Sequence, residues 1–293
     1  MFNCTTARPS DPVESPPDTK AGKGAFRQQK RRPKNAASGD QMLPYHRFAE
    51  VYDRMGADSF SLRMAEYTMR ILRRLEFRPA DGLDICCGTG SAIRYFAEHG
   101  LRMTGVDRSR WMLTQARRKL KGQSVRLYCQ ALPKLDIRER GRTKQFDLAT
   151  SFYDSLNYLT TEQALGATFK AVWRHLRPGG YFIFDMNTPH ALKTIWGSPT
   201  TYAGVKDDLA WIFRNHYHAD TVSADCLTTF FVKDGSRWVR FDETHTEQGY
   251  PDSAIKSLLR QSGFRIRGYY RCLSFEKPGR TTDRICAVAR RAG

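Results

Sequence analysis

Between Leu83 and Asp107 the chain reads LDICCGTGSAIRYFAEHGLRMTGVD, and this stretch limits the possible folds more than any other. Leu83 to Cys86 is a short apolar strand with one acid in it. Gly88, Thr89 and Gly90 form a tight turn, and a helix opens near Ser91 and ends by Gly100. A second strand runs from Met103 to Asp107. Two strands joined through a helix cannot form a hairpin, so the crossover places them parallel in one sheet. The alternation continues. Ser109 can cap a helix carrying Met112, Ala116 and Leu120. A third strand starts at Val125, and a fourth, FDLATSFY, ends at Tyr153. A helix spans roughly Glu162 to Leu176 with Phe169, Val172 and Leu176 as its buried stripe, and Pro178-Gly-Gly turns into a fifth strand, YFIFDM. The pattern predicts a largely parallel α/β sheet covered on both faces.

The flanks read differently. Residues 1–40 are rich in Pro, Ser, Gly, Lys and Arg without apolar periodicity, which predicts a disordered basic arm centred on Arg27 to Lys34. From Tyr45 a helical pattern sets in, with Met64, Tyr67, Ile71 and Leu75 on one face, until Pro79-Ala-Asp-Gly breaks it. After the fifth strand, Leu209 to His218, Asp225 to Lys233 and Arg237 to His245 read as antiparallel strands. A helix at about Ser253 to Ser262 and two strands, FRIRGYYRCLSF and DRICAVAR, close the chain.

A parallel sheet binds ligands beyond the carboxyl ends of its strands, where the turn at Gly88 and Gly90 lies. Glycine there lets the backbone turn tightly and keeps side chains out of the ligand's path. Asp107 stands at the spacing at which a carboxylate reaches the paired hydroxyls of a ribose. Asp84, inside an apolar strand, needs compensation for its buried charge. It can accept N–H groups from the glycine turn or face a ligand's amino group. A dinucleotide fingerprint would put its last glycine at 93, which is Ile, and no G-K-[ST] follows for a phosphate-binding loop.

LDICCGTG resembles the first motif of class I S-adenosylmethionine-dependent methyltransferases, commonly written with a further Gly where this chain has Cys86. GVDRSRWMLTQAR resembles their second motif, FDLATSFYDSLNYL their fourth-strand motif and LRPGGYFIFDMNTP their fifth. The likeness spans about Tyr45 to Ala289. It implies a Rossmann-like α/β fold, a doubly wound, seven-stranded, mainly parallel sheet with an antiparallel β insert between strand five and the carboxyl-terminal region. Residues 41–186 with 248–293 would then be the cofactor domain with an amino-terminal helical cap, and 187–247 a roof over the substrate. The implied cofactor is S-adenosylmethionine. Asp84, Cys86, Gly88 and Gly90 would surround its methionine end and Asp107 its ribose. Arg108, Trp111 and Met112 would border the adenine, with Tyr52 and Phe152 also against the cofactor. Ala131 and Leu132 stand where relatives often carry an acid near the adenine, which leaves adenine to backbone groups and packing. Cysteine at 86 asks for a slightly altered turn.

The segment Tyr153-Asp154-Ser155-Leu156-Asn157-Tyr158 follows strand four and should lie beside the methyl group. Tyr153, Asp154, Asn157 and Tyr158 offer donors and acceptors for a substrate, with Asn187 and His190 after strand five, and Tyr45 and Trp211 from the flanking segments. His245 alternates onto one face with Glu243 and Glu247, and a carboxylate there can orient its imidazole. His245 is the first candidate for a general base and Tyr153 the second. His216 and His218 share a strand face as a structural pair.

The expected activity is methyl transfer to nitrogen or oxygen of a small molecule, in biosynthesis. The alternatives are an RNA methyltransferase and a non-catalytic cofactor-binding scaffold. The formal charge of +18 favours anionic partners, so nucleic acid is allowed though not favoured, and a homodimer is compatible with the sequence. The 7 cysteines are odd in number and lack C-x-x-C spacing, so neither a disulfide framework nor a metal is expected. With no apolar run long enough to span a bilayer and no apolar leader, the default location is the cytoplasm.

Overall fold

A computed structural model describes residues 44–293; the expected basic arm lies outside the described residues. The elements in chain order are Phe48–Val51 (α1), Ser59–Arg74 (α2), Asp81–Ile85 (β1), Ser91–Glu98 (α3), Arg102–Asp107 (β2), Arg110–Lys119 (α4) and Arg126–Cys129 (β3). A small hairpin, Arg138–Glu139 (β4) and Arg142–Thr143 (β5), leads to Phe146–Ser151 (β6), Glu162–His175 (α5) and Leu176–Asn187 (β7). Pro189–Ala191 (α6) precedes Tyr202–Lys206 (β8), Leu209–His218 (β9), Ser223–Asp234 (β10) and Arg237–Gln248 (β11). Asp252–Gln261 (α7), Phe264–Arg271 (β12) and Arg284–Arg291 (β13) complete the fold.

Seven strands form the main sheet in the order β12-β13-β7-β6-β1-β2-β3. β1, β2, β3, β6 and β7 run parallel, and β13 and β12 add an antiparallel edge. This is the doubly wound, mainly parallel sheet the motifs imply. One face is packed by α5 and α7 through Phe169, Phe182, Phe184 and Leu259. The other is packed by α2, α3 and α4 through Met64, Tyr67, Phe96 and Leu113. From β1 the chain runs outward to β2 and β3, then returns to the other side of β1 as β6. That reversal opens a crevice above the carboxyl ends of β1 and β6, where such sheets bind ligands.

The second sheet, β11-β10-β9-β8, is antiparallel throughout. Phe213, Phe230 and Phe241 are buried on its inner face, and Phe48 of α1 packs on Phe230 with ring centroids 4.7 Å apart. The short α1 thereby ties this sheet to the amino-terminal cap. Three details depart from the sequence reading. The helical pattern from Tyr45 breaks into α1 and α2 around Gly56, at φ 78. Pro178-Gly-Gly is a bulge within β7, since the register shifts between the pairs Phe146–Leu176 and Leu148–Tyr181. β6 stops at Ser151 because Tyr153 and Asp154 leave extended geometry for positive φ.

Candidate active site

The crevice is a cleft of ≈ 990 Å³, counted out to its solvent mouth. Of the expected cofactor residues, Tyr52, Cys86, Gly88, Asp107, Arg108, Met112, Ala131, Leu132 and Phe152 line it. Gly90 stands behind the lining at φ 79, and a Cβ there would meet Leu120 Cδ1 at 2.9 Å; it lets α3 start hard against α4. Asp84 also lies behind, accepting the Thr150 hydroxyl at 2.7 Å. Burial pushes its carboxyl up to about 7, against the Thr150 bond and helped by the Asp107 charge.

Asp107 closes the glycine turn from β2. Its Oδ2 accepts the Gly88 N–H at 2.9 Å and its Oδ1 the Ser109 N–H at 2.8 Å. Burial raises its carboxyl, while those two N–H groups oppose the shift. Each oxygen keeps a lone pair for a ligand hydroxyl, so the carboxylate suits a vicinal diol. Met112, Leu132 and Phe152 give the neighbouring wall an apolar surface suited to a flat ring. The site's donor set thus fits a nucleoside with a polar tail. Cys86 adopts φ 59, so the turn keeps the backbone a glycine would have, and the strain falls on cysteine instead of reshaping the loop.

Of the expected substrate residues, Tyr45, Tyr153 and Tyr158 line the cleft. The Tyr45 and Tyr158 hydroxyls are 2.8 Å apart, and Tyr158 Oη lies 2.9 Å from His245 Nδ1. Burial, with the Arg108 charge, pushes His245 down to about 4; the imidazole sits behind the two tyrosines and is neutral at ordinary pH. Asp154, Asn157 and Asn187 form a buried layer beneath the lining. Asn187 Nδ2 donates to Asp154 at 2.9 Å and to Glu247 at 2.8 Å, and Asn157 Oδ1 accepts the Asn187 N–H at 3.0 Å. Two further expected substrate residues lie away from both the lining and the layer behind it. His190 faces Asp283 at 3.8 Å, in a separate surface recess. Trp211 spreads its indole over Gly204, on the inner face of the second sheet.

Other contacts carried no local sequence signal. Glu243, on β11, accepts the backbone N–H groups of Tyr45, Arg47 and Phe48 at 2.7, 2.8 and 2.9 Å and so holds the start of α1. Lys119, last in α4, donates to Thr89 at 2.9 Å and pairs with Asp53 at 2.8 Å and Asp58 at 3.3 Å. Thr89 and Ser91 donate to the same two carboxylates at 2.7 Å each. This cluster fastens the cap to the glycine turn, and Asp58, Ser61, Thr89, Ser91 and Gln130 join the lining. Gln130 turns its amide away, onto the Asp136 backbone. Among the described residues no group of three or more His, Cys, Asp or Glu side chains is placed to hold a metal ion, and no helix is long and apolar enough to cross a membrane.

Comparison with known proteins agrees with this geometry. A family model described as a methyltransferase domain matches residues 83–180, the stretch from β1 into β7. YqeM of Bacillus subtilis, named as a methyltransferase, is 31% identical over 251 residues, covering 85% of this chain and 97% of that protein. The dTDP-3-amino-3,4,6-trideoxy-alpha-D-glucopyranose N,N-dimethyltransferase of Streptomyces venezuelae is 25% identical, covering 63% of this chain and 75% of that protein. Among solved structures, an S-adenosylmethionine-dependent methyltransferase from Clostridium acetobutylicum superposes with a TM-score of 0.74 at 30% identity, covering 85% of this chain and 99% of that one. With the cofactor motifs gathered on one cleft at the sheet's switch point, the chain belongs to the class I S-adenosylmethionine-dependent methyltransferases.

Proposed function

We propose that the enzyme methylates a nitrogen atom of a small molecule that enters between Tyr45, Tyr153 and Tyr158. Asp107 would hold the cofactor's ribose, Met112, Leu132 and Phe152 its adenine, and the turn at Cys86 and Gly88 its amino-acid end, within reach of Asp84. Bound there, S-adenosylmethionine supplies a methyl group on a sulfonium that departs as a neutral thioether. The protein's task is alignment and exclusion of water. Tyrosine faces around the acceptor suit the positive charge of a sulfonium or an ammonium.

The choice of nitrogen rests on the protonation of the site. An alcohol must lose its proton as it attacks, which calls for a base tuned near the working pH. Burial raises the hydroxyls of Tyr45, Tyr153 and Tyr158 above their ordinary range, and His245 is pushed down to about 4. His245 serves better as a neutral acceptor that orients the Tyr158 hydroxyl than as a base. A neutral amine attacks through its lone pair and needs no such base. The amino-sugar N,N-dimethyltransferase relative supports this chemistry. Calorimetry should show stoichiometric S-adenosylmethionine binding, weakened about tenfold or more in Asp107→Asn, since a hydrogen bond to a charged group contributes roughly 1.5–3 kcal/mol. Mass analysis after incubation with matched amines and alcohols, including amino sugars, should show methylated amines. Methylation confined to alcohols would reverse the choice of acceptor, and a folded protein indifferent to the cofactor would remove the site assignment.

A further inference from the structure

The turn after β6 carries strain that cofactor binding does not explain. Tyr153 and Asp154 are consecutive non-glycine residues at φ 60 and φ 53. Each such residue costs on the order of 1–3 kcal/mol and persists only where its surroundings over-determine it. Here they do. Asp185, near the end of β7, accepts both successive N–H groups, Tyr153 at 2.7 Å and Asp154 at 3.0 Å. The Arg284 guanidinium forks between Asp185 at 2.5 Å and Asp154 at 2.6 Å. It also lies 4.5 Å from the ring of Phe60 and 5.5 Å from that of Tyr153. Asp185 is fully buried, and the side chains of Asp154 and Arg284 are 7% and 11% exposed.

Taking two carboxylates and a guanidinium out of water is costly, and well-packed apolar side chains would join the strands at least as well. What an apolar pair cannot do is fix two adjacent N–H groups in one orientation. A planar guanidinium gripping two carboxylates can, through its rigid fork. We propose that Asp185 and Arg284 are positioning residues for methyl transfer: from beneath the cleft they lock the Tyr153–Asp154 turn and so set the Tyr153 ring and hydroxyl against the reacting methyl group. The inference rests on the reading that the Tyr153 side of the cleft receives the acceptor. Burial raises the Asp185 carboxyl, opposed by Arg284, and it opposes ionisation of Asp154, where Arg284 and Asn187 prevail and hold the carboxyl below its usual range. The Asp154–Arg284 arm is therefore ionic at neutral pH.

Two ligands separate positioning from general support of the fold. S-adenosylhomocysteine lacks the methyl group on its bridging sulfur, whereas in sinefungin a carbon replaces that sulfur and carries a primary amine in the place of the methyl group, which reaches toward Tyr153. The full-length protein and the variants Asp185→Asn and Arg284→Lys would be titrated with both by calorimetry. Arg284→Lys keeps the charge and loses only the fork. The expected result is S-adenosylhomocysteine affinity within about threefold of wild type and sinefungin affinity lowered about tenfold or more in both variants, since small misplacements near the reacting atoms have effects of that size or larger. Equal loss of both ligands, or a loss confined to Asp185→Asn, overturns positioning. Failure of the wild-type protein to bind S-adenosylhomocysteine overturns the cofactor site as well. Should a variant not fold, amide hydrogen exchange on the wild-type protein decides: Tyr153 and Asp154 protected like the core of β6 support the lock, and exchange as fast as in an open loop removes it.

Discussion

At the scale of single residues, the cofactor turn shows what a motif fixes and what it leaves open. Gly88, Asp107 and the apolar wall were legible because each belongs to a short sequence pattern with a mechanical reason. The backbone at 86 was not, because a departure from glycine can be met either by a changed loop or by a strained side chain. The structure takes the second course: Cys86 sits at φ 59 inside the turn. Non-glycine residues there cost on the order of 1–3 kcal/mol, while glycine costs roughly 0.5–1 kcal/mol in chain entropy. Cys86→Gly is therefore expected to stabilise the protein by about 1 kcal/mol with cofactor affinity unchanged. Urea denaturation and calorimetry check both, and a variant less stable than wild type would mean that packing of the thiol outweighs the strain. The expected substrate residues were harder to place. The tyrosines of the fourth-strand motif stood out in the sequence, but His190 was added because it follows strand five and Trp211 because it is an aromatic of the insert, and α6 and β9 carry those two side chains elsewhere.

At the scale of elements, the cap is held by distant partners. Glu243 grips three N–H groups of the α1 start across 195 to 198 residues of sequence, and Ser109 Oγ donates to the Tyr45 carbonyl at 2.9 Å. Since Tyr45 and Tyr52 line the cleft, loosening this clasp should loosen the cofactor. Gln at 243 keeps one acceptor oxygen and brings a competing amide donor. Glu243→Gln is expected to weaken cofactor binding about tenfold, in line with losing hydrogen bonds to a charged group, and to speed proteolysis within residues 44–58 while the main sheet stays intact. Unchanged proteolysis and affinity would mean that Lys119, with Asp53 and Asp58, holds the cap unaided. Elements with a strong period were legible: β9, β10, β11, α5 and α7 fall close to their expected bounds. β8 was missed because YAGVK is an exposed edge strand with little apolar alternation. The break between α1 and α2 was missed because helical spacing of apolar residues continues across it.

At the scale of the whole molecule, two buried groups make stability respond to pH in opposite senses. Asp84 has a folded pKa of about 7, above roughly 3.9 for an unfolded aspartate. Its contribution is complete below the unfolded value and is lost as pH rises through 7. His245 has a folded pKa of about 4, below roughly 6.5 for an unfolded histidine. Its contribution is present above 6.5 and is lost as pH falls through 4. Between those limits the two slopes oppose each other, each at most about 1.4 kcal/mol per pH unit, so in the wild-type enzyme they largely cancel. Removing either should uncover the other. Asp84→Asn keeps an acceptor for Thr150 and should lose stability relative to wild type as the pH drops from 6.5 to 4.5, while gaining on it at pH 8. His245→Asn keeps an acceptor near Nδ1 for Tyr158 and should gain on wild type over the same acid range. Urea titrations of the cofactor-free proteins at pH 4.5, 5.5, 6.5 and 8 measure the differences. For either variant, a free-energy curve parallel to wild type across that range would show that the residue it replaces titrates alike in the folded and unfolded chains, and that water reaches a site the fold otherwise seals.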